Sequence, residues 1–176
     1  MGLFDRFKSS TAPIQKGLTA NEWCDRGDAL AKSGREEEAI QCFDKALAID
    51  PRYVKAWALK GATLGMLDRH EEALQCLDKV LELDPRYAKA WNDKGTALVK
   101  VGRHEEALQC LDRALAIDPK DVDAWSNKGT ALEMLGRHEE ALQCFDRALV
   151  IDPKNTTAQQ GKPVAVESIR KTGPKQ

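Results

Sequence analysis

The stretch AKAWNDKGTALVKVGRHEEALQCLDRALAIDP, residues 88–119, decides the fold of this chain. Two segments with apolar residues at helical spacing flank Gly102, the first built on Trp91, Gly95 and Leu98 and the second on Ala107, Leu111 and Ala114. Glycine takes the left-handed conformation that closes a helix at no steric cost. Asp118-Pro119 ends the second segment, because proline disfavours helical geometry in the residue before it and has no N–H to donate. The stretch reads as helix, tight turn, helix.

Outward from it, the same letters return every 34 residues: Trp23, Trp57, Trp91 and Trp125; Gly27, Gly61, Gly95 and Gly129; Ala39, Ala73, Ala107 and Ala141; Pro51, Pro85, Pro119 and Pro153. Residues 88–121 and 122–155 are identical at 24 of 34 positions. Such a period signals stacked copies of one helical unit. The units are 20–53, 54–87, 88–121 and 122–155, which predicts eight helices in four hairpins. The turn holds Gly34, Gly102 or Gly136, and Asp68 in the second unit, a residue that also tolerates the left-handed region. Thr19 followed by Glu22 reads as a capping box at the start of the array, with Leu18 placed to staple onto Trp23. A lone hairpin leaves its tryptophan wet, whereas a stacked one buries about 150–250 Å² of it, so a continuous indole-lined interior is expected.

The repeats account for most of the 176 residues, of which 42% are hydrophobic and 31% charged, as in a folded domain. No apolar run approaches the roughly 18 residues of a membrane span, and MGLFDRFKSS carries charges where a signal peptide needs an apolar core. A cytosolic protein without stable membrane insertion is expected. In that compartment five cysteines argue against a disulfide framework. Residues 1–19 sum to +2 and residues 156–176 to +3, leaving −6 on the body. An acidic body without a basic stripe is a poor match to nucleic acid.

RHEEALQC, at 69–76, 103–110 and 137–144, places histidine, glutamates and cysteine close together in sequence. On a helix, six residues turn His70 and Cys76 about 120° apart, so they cannot share a metal. Equivalent positions in stacked helices are roughly 8–10 Å apart, too far for a disulfide. The cysteines are therefore read as packing residues at the edge of the inward stripe, and no metal or other cofactor is expected. Paired glutamates such as Glu71 and Glu72 suit the positive end of a helix dipole. Cys24 has no counterpart at Ala58, Asn92 or Ser126 and is read as a lone thiol on the inner face.

Trp, Gly, Leu, Ala, Leu, Ala and Pro at positions 4, 8, 11, 20, 24, 27 and 32 of the third unit, Trp91 through Pro119, resemble the tetratricopeptide repeat. The resemblance covers residues 20–155. It implies an all-α, right-handed α-solenoid of four helix-turn-helix hairpins whose first helices line a concave groove that holds partner peptides. One departure recurs: position 7, usually a large apolar residue in that family, is Arg26, Lys60, Lys94 or Lys128, with aliphatic stems placed to line the helix pair and charges reaching water.

By that resemblance the groove comprises Asn21, Cys24 and Asp28 of the first unit and Lys55, Ala58, Leu59 and Ala62 of the second. Lys89, Asn92, Asp93 and Thr96 follow from the third, then Asp123, Ser126, Asn127 and Thr130 from the fourth. With positions 12 and 13, which line the groove in that family, five of the ten differences between units three and four fall on this face, Val99 against Glu133 and Lys100 against Met134 among them. Free drift of exposed positions and divergent groove chemistry both account for that. Of the residues with which chaperone-binding members clamp a carboxylate tail, only Lys89 is present, so a ligand of that kind is not expected.

No acid, base and nucleophile come together in a plausible pocket, and a protein or peptide partner is the expected ligand, without catalysis. The alternative is self-association through the solenoid ends or through the short amphipathic segment LFDRF within residues 1–19. Residues 156–162 open a fifth unit with Gln159 at the tryptophan position, and residues 163–171 are expected to form a last capping helix with Val166 and Ile169 against the exposed end, before a loose basic tail to residue 176.

Overall fold

A computed structural model describes residues 17–172. The segment LFDRF and the final residues 173–176 lie outside the described residues. The helices are α1 (Ala20–Lys32), α2 (Glu36–Ile49), α3 (Val54–Met66), α4 (His70–Leu83), α5 (Ala88–Lys100), α6 (His104–Ile117), α7 (Val122–Met134), α8 (His138–Ile151) and α9 (Thr156–Thr172). Among the described residues there is no strand. The fold is all-α, an array of antiparallel helix pairs.

Local chemistry sets the boundaries where the sequence places them. Thr19 Oγ1 accepts the Glu22 N–H at 3.3 Å while the Glu22 carboxylate accepts the Thr19 N–H at 2.7 Å, closing the capping box. Leu18 stays exposed. Gly34, Gly102 and Gly136 have φ of 75°, 81° and 72°, and Asp68 has 56°. Asp50, Asp84, Asp118 and Asp152 end the second helices in extended geometry. Each accepts the N–H two residues on, turning the chain into the next pair. The second helices begin without a side-chain cap. Arg35, Arg69, Arg103 and Arg137 instead fork onto Glu38, Glu72, Glu106 and Glu140 three residues later, with N–O distances of 2.6–2.7 Å.

Within a pair, glycine lets the first helix touch the second. A Cβ added to Gly27 or Gly129 lies 2.6 Å from the ring of Phe43 or Phe145, and one on Gly95 lies 2.7 Å from Leu111. Those side chains, with Leu64, Leu77, Leu98, Leu132 and Val80, are the largest that are fully buried. The interior is therefore aliphatic and phenylalanine-rich, not the indole-lined one that the tryptophan spacing predicts. Trp23, Trp57, Trp91 and Trp125 are only partly buried. An indole keeps a polar edge, and here three of the four use it between units. Nε1 of Trp57, Trp91 and Trp125 donates to the carbonyls of Pro51, Pro85 and Pro119 at 2.9–3.0 Å.

Position 7 also acts between units. Lys60, Lys94, Lys128 and Lys162 meet Asp44, Asp78, Asp112 and Asp146 of the preceding unit at 2.6–2.7 Å. In the first three, the ammonium also stands 5.7 Å from the centroid of its own unit's tryptophan ring. The charges that were expected to reach water are thus spent on a ladder of ion pairs along the outer edge.

The fifth unit continues past Gln159 as one helix. Its side-chain amide donates to the Pro153 carbonyl at 2.8 Å, in the place of an indole, and α9 runs unbroken through Pro163 to Thr172. The cap expected at residues 163–171 therefore starts seven residues earlier. Ala158 and Ala165 are the buried residues of α9, while Val164 and Val166 remain 54% and 48% exposed. The alanines fit because α9 lies directly on α7 and α8, leaving the valines on the two flanks of the buried stripe.

These packing differences predict opposite outcomes for two glycine substitutions. Gly95→Ala overpacks Leu111 and should cost about 1–3 kcal/mol in urea unfolding. Gly65→Ala, whose Cβ meets nothing within 4 Å, should stabilise by about 0.5–1 kcal/mol.

Candidate functional site

The helix contacts show which side is hollow. Each first helix touches the first helix of the next unit, α1 with α3, α3 with α5, α5 with α7 and α7 with α9, whereas the second helices of successive units do not meet. The inner, concave face is therefore built from α1, α3, α5, α7 and α9. The approach is closer between α5, α7 and α9 than between α1, α3 and α5, so the face is more open in its first half.

In that first half much of the polar chemistry is already used. Asn21 accepts the Tyr53 hydroxyl at 2.8 Å and donates to Asp25 at 3.1 Å, and Asp25 holds Lys55 at 2.7 Å. The hydrogen bond from Lys55 holds the Asp25 carboxyl below its ordinary range. Asp28 pairs with Lys32 at 2.7 Å. Cys24 is fully buried between units, and burial pushes its thiol up, so it is a packing residue that offers nothing to a ligand. Its isolation in the sequence reflects local packing against Tyr53, Phe43 and Ala56.

The second half carries a bonded amide ladder. The Asn127 amide donates to Asn92 Oδ1 at 3.0 Å and Thr96 Oγ1 at 2.9 Å, tying α7 to α5. Asn92 and Ser126 are buried, and Ser126 donates to the Asp123 carbonyl at 3.1 Å. Position 5 of the repeat thus faces the junction between units, which removes Cys24, Asn92 and Ser126 from the exposed groove. Thr130 spends its hydroxyl on the Ser126 carbonyl. Lys89 and Asp123 are exposed on the same face.

Between these halves, α3, α4 and α5 enclose a cleft of about 480 Å³. Ala62, Met66, Leu77 and Ala97 supply apolar wall, and Lys89, Asp93, Thr96 and Lys100 supply polar groups along α5. Ala58 is partly buried against the cluster of Leu77, Leu81 and Ala90, and Leu59 against that of Cys24 and Phe43 in the preceding unit. Burial, reinforced by Asp121 and Asp123 and opposed by Lys89, raises the Asp93 carboxyl to about 6. Sequence reasoning finds Lys89, Asp93, Ala62, Thr96 and Lys100 but does not name Gly65, Met66 or His70. The signal was available at position 12, which is Gly65, Val99 and Glu133 in successive units.

Among the described residues no group of three or more histidine, cysteine or acidic side chains is arranged to hold a metal ion, and no helix is long and apolar enough to cross a membrane. All five cysteines are buried.

Tandem helix pairs with a continuous hollow face of mixed polarity define a helical-repeat scaffold for protein interaction. Tetratricopeptide repeat models match residues 20–53, 53–120 and 92–156, and the chain belongs to the tetratricopeptide repeat family. No match among curated proteins was found. Among solved structures it is similar to a crystal structure of MamA protein, at 26% identity and a TM-score of 0.77, over 85% of this chain and 81% of that one. It is also similar to the Arabidopsis OM64 TPR domain, at 26% identity and a TM-score of 0.63, over 65% and 94%. Its fold alone resembles the first TPR domain of human RPAP3, at 21% identity and a TM-score of 0.66, over 69% and 95%.

Two measurements check this description. Because the folded state binds the Asp93 proton more tightly than the unfolded chain, its ionisation destabilises the fold above pH 6, and that penalty fades as the pH falls through 6 toward 4. Asp93→Asn should therefore be more stable than the parent by about 1–2 kcal/mol at pH 7 and gain less at pH 4.5, measured by urea unfolding. In the folded protein the thiols should resist alkylation at pH 8, Cys76 and Cys144 most of all, since burial pushes both to about 11. Mass spectrometry should find labelling only as fast as the chain opens.

Proposed function

We propose that the concave face binds a peptide segment of a protein partner, and that the chain acts as a scaffold without a catalytic step. The observation that carries this reading is the unequal use of polar groups along the groove. At either end they are bound to one another, whereas Lys89, Asp93 and Lys100 of the central cleft form no ion pair within 4.0 Å among the described residues. Apolar walls beside free charged groups suit an extended or helical segment that inserts a side chain and hydrogen-bonds along its length. The partner's identity in this reading is a protein or peptide. Nucleic acid remains a poor fit to the acidic body.

Self-association is the second reading, and it rests on the ends. Val164 and Val166 leave exposed apolar side chains on the two flanks of the buried alanine stripe of α9, uncovered by any further helix among the described residues. Light scattering across a hundredfold range of concentration tests it, and a constant monomer mass sinks it.

The groove reading is tested by amide exchange on the protein with a partner captured from native lysate. Protection should concentrate on α3, α5 and α7, and Lys89→Ala combined with Asp123→Ala should weaken capture about tenfold or more. Protection confined to the second helices, with capture unchanged, would overturn it.

A further inference from the structure

Repeat four contains a carboxylate site that repeat two leaves open. In repeat four, Glu133 at position 12 of the unit accepts from Ser168 Oγ of α9 at 2.8 Å and stands 2.9 Å from Nδ1 of His138, the first residue of α8. The equivalent residues of repeat two are Gly65 at position 12, His70 as the first residue of α4, and Lys100 of α5 in the place of Ser168. The histidine and the donor from the next unit are thus retained while the carboxylate between them is missing. A Cβ built on Gly65 meets nothing within 4 Å, and Gly65, His70 and Lys100 all line the 480 Å³ cleft. His70 Nδ1 is shielded from water and has no hydrogen-bond partner. In repeat three the matching His104 Nδ1 is also unpartnered, but Val99 occupies position 12 there. Only repeat two combines the unpartnered imidazole with open space.

We propose that the Gly65–His70–Lys100 end of the cleft receives a glutamate side chain from the partner segment, placed where Glu133 sits in repeat four. This deepens the groove reading and rests on it. Three features favour an anion there. Lys100 brings a full positive charge in place of the neutral Ser168 hydroxyl. His70 offers the same ring nitrogen that faces Glu133 in repeat four. The site lies at the N-terminus of α4, a 14-residue helix whose first N–H groups have no side-chain cap.

The opposing charges are Asp68 and Asp93. Asp68 also lines the cleft and stands 3.4 Å from Nε2 of His70, with its own side chain largely exposed to water. Asp93 is seven residues from Lys100 on α5, about 10 Å along the axis, with Lys89 one turn beyond it. Met66, Ala62 and Ala97 line the approach, so the glutamate is expected between apolar neighbours. The residues differ from the clamp positions of chaperone-binding relatives, which this chain lacks apart from Lys89.

The test is an NMR titration of the 176-residue protein with the capped pentapeptide Ala-Leu-Glu-Leu-Ala and with its counterpart in which glutamine replaces glutamate. The glutamate peptide should shift Gly65, His70 and Lys100 and bind about tenfold more tightly. Gly65→Glu supplies the carboxylate from within. It should move the His70 imidazole nitrogen resonances toward those of His138 before any peptide is added, and reduce the preference for glutamate to less than twofold. Lys100→Gln, a surface change that leaves the core untouched, should lower the preference in the same direction. Equal binding of the two peptides, or a preference that survives in Gly65→Glu, overturns the carboxylate site. If both peptides shift Asp93 and Thr96 equally, the groove reading stands while this inference falls.

Discussion

The structure depends on close contact between the first and second helix of each pair, with glycine on one side and a large apolar side chain on the other. Phe43, Leu77, Leu111 and Phe145 enter the space left by Gly27, Gly61, Gly95 and Gly129. A Cβ at most of these positions would drive the helices apart, since a packed interior has no spare volume. The pair so formed still exposes apolar surface on both flanks. Only the next pair covers it, and the chain must therefore be an array.

How the pairs join sets the shape of the groove. The tryptophan-to-proline-carbonyl bonds and the lysine–aspartate pairs recur at every junction, including the last, where Gln159 and Lys162 take over. They sit along one edge and repeat without change. The concave side is where junctions differ: α5 and α7 are drawn together by Asn92, Thr96 and Asn127, while α3 and α5 stand further apart with Ala62 and Gly65 between them. Ala58 and Ala62, standing where the next unit has Asn92 and Thr96, make no such cross-link and leave a cleft. One constant edge and one variable edge let the repeats keep their fold while their recognition surface diverges.

The same division explains repeat four. Glu133, His138 and Ser168 close the junction to α9 from within, and α9 packs on the fourth pair as a first helix with no second among the described residues. One carboxylate oxygen of Glu133 meets both the histidine and the serine hydroxyl. The trio is a latch between helices.

From the sequence alone the unit length, the number of hairpins, the turn residues and the helix ends are all readable, because each rests on backbone chemistry: a left-handed turn at Gly34, Gly102, Gly136 or Asp68, an Asp-Pro stop, a capping box at Thr19. Those constraints act within a few residues and leave a mark at the position where they act. Whether a side chain faces the groove or the junction between units is another matter. Cys24, Asn92 and Ser126 share a helical face with groove residues, yet neighbouring units bury them. The tryptophans look like core residues and are instead stitches at its rim, and the lysines at position 7 look misplaced until an aspartate of the preceding unit meets them. Only the tertiary structure decides these assignments, because the distance between one first helix and the next is set by contacts 30 or more residues apart in the chain, and a shift of a few ångströms there separates a sealed junction from an open cleft.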